Sequence, residues 1–331
     1  MTETPTVSII IPVKPGGRVI ALIGIRRLLY PTDSFEVLVA EGKCPSRQRN
    51  AAAAAAAGDI LCFLDDDSQI SPEFLHNMTR HFVGPGVAAA GGPSLTPEAD
   101  TPLQHAFGMA LGSLIGGGGM RNRYRRAGSI RATCDQELIL CNLGFRKDIF
   151  LEYGGFEERL YPNEENELME RIRRGGGLLI HDPDLAVNRS QRPTLKAFCR
   201  QLFSYGRGRG EQTILSGVIK PITCVPSLFL LYLLLLPLAH KHVYYLPLLC
   251  YLIITVSVSV REAGQTRRPR SAALLPVVFA LFHICYGLGM VRGLVAPRFR
   301  SRGFSDCEVT VRRVKAFGEP MLRESGDRDQ G

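Results

Sequence analysis

Apolar positions in the first two thirds of the chain fall into short unbroken runs, and the stretches between them repeat at helical spacing. Val7–Val13 (VSIIIPV) is a β-branched run of the kind found in strands buried on both faces. Pro15-Gly16-Gly17 ends it, and residues 20–29 place apolar side chains on one face with Arg26 and Arg27 outward. A second strand over 35–39 (FEVLV) closes on Ala40-Glu41-Gly42. Ser46 is the expected cap of a helix through Arg47, Arg49, Asn50 and the alanines 51–57, with Gly58 as its stop. Ile60–Leu64 predicts a third buried strand, and Ser71 with Pro72 opens a helix over 72–82. This β-α-β-α-β order predicts an α/β fold with a doubly wound, mostly parallel sheet.

The pattern then loosens. Residues 87–90 predict a short strand, and 91–134 show no clear period. Gly116–Gly119 followed by MRNRYRRAGS predicts a mobile basic loop, either a substrate gate or plain surface. Residues 141–156 predict a strand, a helix and a Gly-Gly turn. Glu164–Arg174 is an amphipathic helix with Leu168, Met169 and Ile172 inward and Glu167–Arg171 and Glu170–Arg174 as i,i+4 pairs. A return strand over 178–180 leads to His181, expected as a hydrogen-bonded structural residue. A helix over 195–205 runs into Gly206-Arg207-Gly208-Arg209, which is either a solvated linker or a phosphate contact.

From residue 222 the alternation stops. Three nearly all-apolar segments, 222–239, 243–260 and 272–296, each approach the length that spans a bilayer. Pro226, Pro237, Pro247 and Pro276 interrupt them, as membrane helices tolerate. The loop 261–270 carries Arg261, Arg267, Arg268 and Arg270 and is expected on the cytoplasmic face. Segment one then leaves that face and segment two returns to it. A full third span would export the Arg-rich residues 297–331, so the third segment is either re-entrant or interfacial, or breaks the rule. The expected organisation is a cytoplasmic domain over 1–215, a membrane region over 216–296 and a basic tail over 297–331.

Composition narrows this picture. The net charge of +9 fits a basic surface, anionic lipid or an anionic substrate. Nucleic acid is not expected, because no recognised binding motif is present and the aromatics do not interleave with the basic runs. Nine cysteines occur singly, with no CxxC pair, and suggest neither a zinc site nor a disulfide framework. The first residues lack the features of a signal peptide, which places the first domain in the cytoplasm.

The chemistry concentrates at Asp65, Asp66 and Asp67, directly after the third strand. In an extended chain residues i and i+2 share a face, so Asp65 and Asp67 point the same way. Two close carboxylates call for a cation or a donor cluster between them, and Mg²⁺ uses one or two carboxylates plus substrate phosphates. The alternative is an acidic loop ahead of a capped helix. Glu164 and Glu165 sit in a first helical turn, where the helix dipole favours acids, and the pattern alone favours that explanation over catalysis.

Taken together, the opening SIIIPVK, the run PSRQRNAAAAAAAGDILCFLDDD and the segment GFRKDIFLEYGGFEERLYPNEENELMERIRRGGG resemble family 2 glycosyltransferases of the GT-A fold. Added to these are QLFSYGRGR and FHICYGLGMVRGL. The resemblance is to the membrane-anchored type that builds bacterial exopolysaccharides. It implies Asp65 and Asp67 as the DxD pair for Mg²⁺ or Mn²⁺, with Asp67 the direct metal ligand and Asp65 nearer the ribose. It implies Pro12, Glu41, Arg49, Asn50 and Asp66 around a nucleoside diphosphate sugar, with a UDP-sugar as the first donor to test. Glu165 falls where the family places its general base, usually Asp. Glu167, Gln201, Arg207 and Arg209 fall near an acceptor or phosphate contact. The acceptor implied is lipid-linked or a polysaccharide, at the inner face of the cytoplasmic membrane. Glu41 replaces the usual Asp, and an acid expected after the first strand is missing from VKPGGR. The chain has no tryptophan, so the QxxRW motif of processive relatives is absent. A non-catalytic membrane scaffold and a nucleotidyltransferase are the competing readings.

Overall fold

The computed structural model describes residues 4–84, 86–238, 240–300 and 307–321. Its strands are β1 (Val7–Val13), β2 (Phe35–Gly42), β3 (Ile60–Leu64), β4 (Val87–Gly91), β5 (Ser94–Leu95), β6 (Arg131–Ala132), β7 (Asn142–Arg146), β8 (Leu178–His181), β9 (Val187–Asn188) and β10 (Val309–Lys315). The main sheet runs β10-β2-β1-β3-β7-β4-β8-β6, and β5 pairs with β9 beside it. β1 lies parallel to β2 and β3, and β4 parallel to β8. β7 runs antiparallel between β3 and β4. The expected doubly wound, mostly parallel sheet is therefore present, with an antiparallel strand inserted where Cys141–Phe156 predicted only a short strand.

Side-chain alternation along β1 sends Val7, Ile9, Ile11 and Val13 to one core and Ile10 to the other. The first core is closed by α1 (Ala21–Ile25) and α3 (Phe74–Thr79). The second is closed by α2 (Pro45–Ala55), α5 (Lys147–Glu152) and α6 (Glu164–Arg174), with α4 (Pro102–Gly112) elsewhere in the unit. Four aromatics, Phe63, Phe145, Phe150 and Phe156, meet in the second core at centroid distances of 5.0–6.1 Å. The alanine face of α2 lets that helix lie close to the sheet, with Ala52 and Ala53 fully buried.

Two expected caps are corrected. Cys44, not Ser46, caps α2, because Pro45 takes the first helical position where a missing N–H costs nothing. Ser46 instead donates its hydroxyl to the Leu160 carbonyl at 2.6 Å. α3 starts after Glu73 rather than at Pro72.

Beyond the sheet lie α7 (Leu195–Ser216), α8 (Pro221–Leu235), α9 (Leu246–Thr266), α10 (Pro269–Ala272) and α11 (Leu275–Val295). Three segments, Pro221–Leu238, His242–Thr266 and Leu275–Arg300, are long and apolar enough to cross a membrane. The first two are almost wholly uncovered, with 6% and 11% buried, whereas 39% of the third is buried against the rest of the protein.

That difference comes from α7. The Gly206–Arg209 stretch is not a linker: α7 continues through it as one 22-residue helix. Its glycines lie against α11. A Cβ on Gly206 would stand 2.0 Å from the Tyr286 carbonyl oxygen, and one on Gly289 would stand 2.1 Å from that of Phe203. Small residues on both helices let the backbones touch. At its other end α11 packs Leu275, Val278 and Phe279 onto Phe107 and Phe198, whose rings stack at 4.0 Å.

The segment expected as a basic tail is corrected in part. Val309–Lys315 forms β10 and pairs antiparallel with β2, Val309 opposite Gly42. Arg313 Nε meets Glu36 at 2.7 Å, and buried Lys315 donates to the carbonyls of Thr32 and Phe35 at 2.6 and 2.7 Å. Both ends of α11 thus return to the α/β unit. The same return brings Cys307 to Cys44, and the two form a disulfide across 263 residues of sequence, a pairing that spacing did not reveal.

Candidate active site

β3 ends against Asp65, and α2 starts one strand away, so the buried face of α2 looks across the C-terminal edge of the sheet. Arg49 lies on that face, with its side chain 6% exposed. It donates from Nη2 to Asp65 Oδ1 at 3.0 Å and from Nη1 to Glu164 Oε1 at 2.9 Å. One guanidinium therefore ties the end of β3 to the first residue of α6, about a hundred residues further along the chain. Asn163 sets up that meeting: it caps α6 in the left-handed region at φ 89°, a conformation asparagine tolerates better than most residues.

A second arginine closes the acidic cluster. Arg189, just after β9, donates from Nη2 to Asp65 Oδ2 at 3.1 Å and from Nε to Asp67 Oδ1 at 2.7 Å. Burial pushes the Asp65 carboxyl up, but Arg189 and then Arg49 overcome it and hold it below the usual carboxylate range. Asp66 moves the other way, raised by burial and by the charges of Asp67 and Asp65. Glu164 is pushed up to about 8 by burial and by the adjacent Glu165, against the pull of Arg49.

Glu165 faces a different neighbourhood. Arg123 Nη1 lies 3.5 Å from its Oε1, and Asn166 Nδ2 donates to the same oxygen at 3.3 Å. Arg123 is almost fully buried, at 4% exposed, and also donates to the Asp135 and Gln136 carbonyls and to Asn166. The basic stretch expected as a mobile loop is in this part a 3₁₀ turn over Gly118–Arg123 built around a buried charge. Glu165 and Arg123 line a cavity of about 210 Å³ under α8 and α11. A small recess holds Arg189, Gln201 and Arg192, and Tyr124 and Tyr205 line both spaces, so the two open side by side.

The other expected residues separate into two groups. Glu41 accepts from the Gly16 N–H at 3.2 Å at the end of β2, and Pro12 lies beside it on β1, opposite Ala40. Gln201 reaches Tyr205, and Arg209 lines the cavity. The rest are engaged elsewhere. Asn50 spends its amide on the Phe156 backbone, accepting at 2.9 Å and donating at 2.8 Å, which pins the Gly154-Gly155 turn rather than a nucleotide. Glu167 is paired with Arg171 at 2.7 Å. Arg207 is paired with Glu211 at 3.2 Å, near Arg298 on the α11 side of α7. His181 donates from Nε2 to the Asn122 carbonyl, 3.3 Å away, as a structural residue.

A divalent cation suits the donor set at β3 only in part. Among the described residues no group of three or more His, Cys, Asp or Glu side chains forms a metal cage. Two hard carboxylate oxygens remain the right chemistry for a cation that draws its other ligands from a diphosphate. Both oxygens of Asp65 are already taken by arginines, whereas Asp67 is 38% exposed and uses only Oδ1. The residues therefore fit a metal bound chiefly through Asp67.

Sequence reading missed Arg189 and Arg123. Arg189 had a usable signal, a lone arginine after a strand that returns beside the acidic triad. Arg123 had none, since its neighbours are basic too.

Residues 32–152 match the family model described as glycosyl transferase family 2. A pre-mycofactocin glycosyltransferase, found in two strains of Mycobacterium tuberculosis, is 27% identical over 166 residues, 50% of this chain and 34% of that protein. The chain thus spans about a third of the length of the curated relatives it matches. Among solved structures, a mannosyltransferase from Pyrobaculum calidifontis in complex with GDP-Man and Mn²⁺ is similar at a TM-score of 0.51 with 14% identity, covering 89% of this chain and 88% of that one. That likeness shows the fold, a GT-A-type arrangement.

Proposed function

We propose that the chain, whose residues 32–152 match the glycosyl transferase family 2 model, transfers a sugar from a nucleoside diphosphate to a hydroxyl of a membrane-associated acceptor, inverting the anomeric centre. The observation that carries this reading is the Arg49 bridge between Asp65 and Glu164, which brings the acidic strand end and the start of α6 to one site.

The residues divide the work. Pro12 and Glu41 border the space for the base and ribose, and Asp66 lies at its edge. Asp67, with Asp65 behind it, would hold Mg²⁺ or Mn²⁺. When bound, that cation supplies counter-charge to the departing diphosphate. Arg49 keeps Asp65 ionised and oriented. Glu165 takes the proton of the acceptor hydroxyl as its oxygen attacks C1 from the far face. The new O–C1 bond forms as the C1–diphosphate bond breaks, and its electron pair leaves on the diphosphate. A single displacement of this kind inverts the centre.

The membrane supports the acceptor class. α8 and α9 form an apolar hairpin that finds no cover in the protein, and α11 starts and ends on the α/β unit. We read the chain as crossing the bilayer twice, at the cytoplasmic membrane, with the sheet, the loop after α9 and β10 on the cytoplasmic side. A UDP-sugar is the first donor to test.

Glu165→Gln tests the base. It should lower turnover by about 10²–10⁴-fold while donor binding by calorimetry is unchanged. Turnover at the wild-type rate would remove Glu165 from that role. One observation favours the scaffold alternative: Arg189 pairs with both Asp65 and Asp67, the carboxylates a metal would use. Titration with UDP and Mn²⁺ separates the two, since a scaffold shows no metal-dependent binding. Release of nucleoside diphosphate rather than pyrophosphate excludes a nucleotidyltransferase.

A further inference from the structure

Glu165 takes its place from the turn that precedes it, residues 160–163. On one side α2 holds that turn: Ser46 donates to the Leu160 carbonyl at 2.6 Å. On the other side it is held by helices that lie outside the sheet. Arg298, just past the end of α11, donates from Nη2 to the Tyr161 carbonyl. Gly208 of α7 lies against Pro162, so close that a Cβ would overlap the Pro162 carbonyl oxygen. Asn163 then turns through the left-handed region, and the Glu167 N–H closes onto its carbonyl at 3.1 Å to start α6.

Arg298 is itself fixed. Glu211 on α7 is fully buried, and it accepts from the Arg298 backbone N–H at 2.8 Å, from Nε at 3.2 Å and from Nη2 at 3.1 Å. Taking the partner from a buried carboxylate is strongly destabilising, so the guanidinium stays where it reaches Tyr161. α7 and α11 lie backbone to backbone at this level, since a Cβ on Gly293 would overlap the Arg207 carbonyl oxygen. The end of α11, the middle of α7 and the turn before α6 therefore form one packed unit.

We infer that Arg298 and Gly208 are positioning residues for Glu165. They press the 161–163 turn onto α7, and the turn aims the start of α6 at the cavity that Pro162, Asn163 and Glu165 line. The carboxylate that takes the acceptor proton is thus set in place by the last helix of the chain, and turnover requires α11 docked on α7. This rests on Glu165 as the base of the transferase reading. The stake is reach: a misplacement of ~1 Å costs about 10²-fold in rate.

The test uses the full chain. Turnover is read in native membranes as nucleoside diphosphate released, with Mn²⁺, from UDP-glucose or the best donor in a panel of nucleoside diphosphate sugars. Hydrogen exchange of the Glu167 amide is read in detergent. Arg298→Gln removes the hold on Tyr161, and Gly208→Ala displaces the Pro162 carbonyl without touching a charge. Each should lower kcat by about 10²-fold with the donor KM unchanged. Exchange at Glu167 should quicken by about 10-fold or more in both, the scale of losing one charge-assisted hydrogen bond. Arg292→Gln, an exposed charge near the end of the same helix, should change neither. An equal fall in Arg292→Gln would trace the effect to charge at the helix end and overturn the proposal. A raised KM with kcat unchanged would put the effect on the donor and overturn it too, as would exchange at Glu167 unchanged in both variants, or quickened with turnover intact. If the wild-type protein releases no nucleoside diphosphate from any donor while exchange follows the variants, the hold on the turn stands and the transferase reading falls.

Discussion

Replacing Arg189 by glutamine tests whether the acidic triad is held ready for a cation by a side chain that must also give way to it. Arg189 makes two charge-assisted contacts, at 3.1 Å to Asp65 and 2.7 Å to Asp67. A hydrogen bond to a charged group contributes about 1.5–3 kcal/mol where solvent is excluded, and an exposed ion pair about 0–1 kcal/mol. Asp65 is 20% exposed and Asp67 38%, so the first contact takes the larger figure and the second the smaller. Without added metal the variant should lose about 1.5–4 kcal/mol of stability. Its affinity for Mn²⁺ should move the opposite way. A divalent ion about 4 Å from a guanidinium is repelled by ~2 kcal/mol even at the dielectric constant of water, twice the figure for two unit charges. Removing the guanidinium should therefore tighten Mn²⁺ binding by roughly 30-fold, at 1.36 kcal/mol per decade. Free Mn²⁺ counted by electron paramagnetic resonance, with no nucleotide present, gives the affinity directly. Melting with and without Mn²⁺ gives the stability. Mn²⁺ binding that is equal or weaker in the variant would show that Arg189 does not contest the cation site.

Three further outcomes follow from the structure. Glu164 titrates near 8 in the folded chain against 4.5 unfolded, so the native state binds the extra proton between those values and stability falls as pH rises from about 4.5 to 8. Glu164→Gln should flatten that slope, worth on the order of a few kcal/mol at ~1.4 kcal/mol per pH unit, in denaturation at pH 5 and 8.5. An equal slope in both proteins refutes the assignment. Gly289→Leu places side-chain atoms where the Phe203 carbonyl already stands and should separate α7 from α11, at a cost of about 1–3 kcal/mol or more. Melting in detergent reads this, and an unchanged midpoint would mean that the helices do not cross as closely as described. Cysteines introduced singly at Arg267 and Glu319, in a background without native cysteines, should label from the same side of sealed vesicles. Opposite labelling would make α11 a third crossing.

Much of the α/β unit was legible because its signals are local. β1, β2 and β3 are apolar runs bounded by Pro, Gly or Asp, and the inner face of α6 follows from the spacing of Leu168, Met169 and Ile172. The parts that escaped depend on partners distant in sequence. Gly206 and Gly208 look like breakers, yet α7 passes through them because α11 and the Pro162 carbonyl crowd the side where a Cβ would stand. Val309–Lys315 reads as polar and basic, with only alternate valines, and becomes a strand because β2 offers an open edge with Glu36 waiting for Arg313. Asn50 carries the right chemistry for a sugar nucleotide, but only the fold shows that its amide is spent on Phe156. The site was half visible for the same reason. The carboxylates announced themselves as a cluster, whereas Arg189 and Arg123 belong to it only in three dimensions.

The pairing of the last strand with the second has a cost in time. Gly42 and Val309 are separated by 267 residues, and the apolar hairpin lies in that interval. At synthesis rates of ~5–20 residues per second, β2 waits roughly 15–50 s before its neighbour exists. Throughout that wait its outer backbone groups are open to any other extended chain. On the proposed membrane reading, placement of the hairpin in the bilayer is thus an upstream step in completing the sheet. Any delay at the membrane lengthens the period in which the newborn protein is most vulnerable to joining the wrong strand.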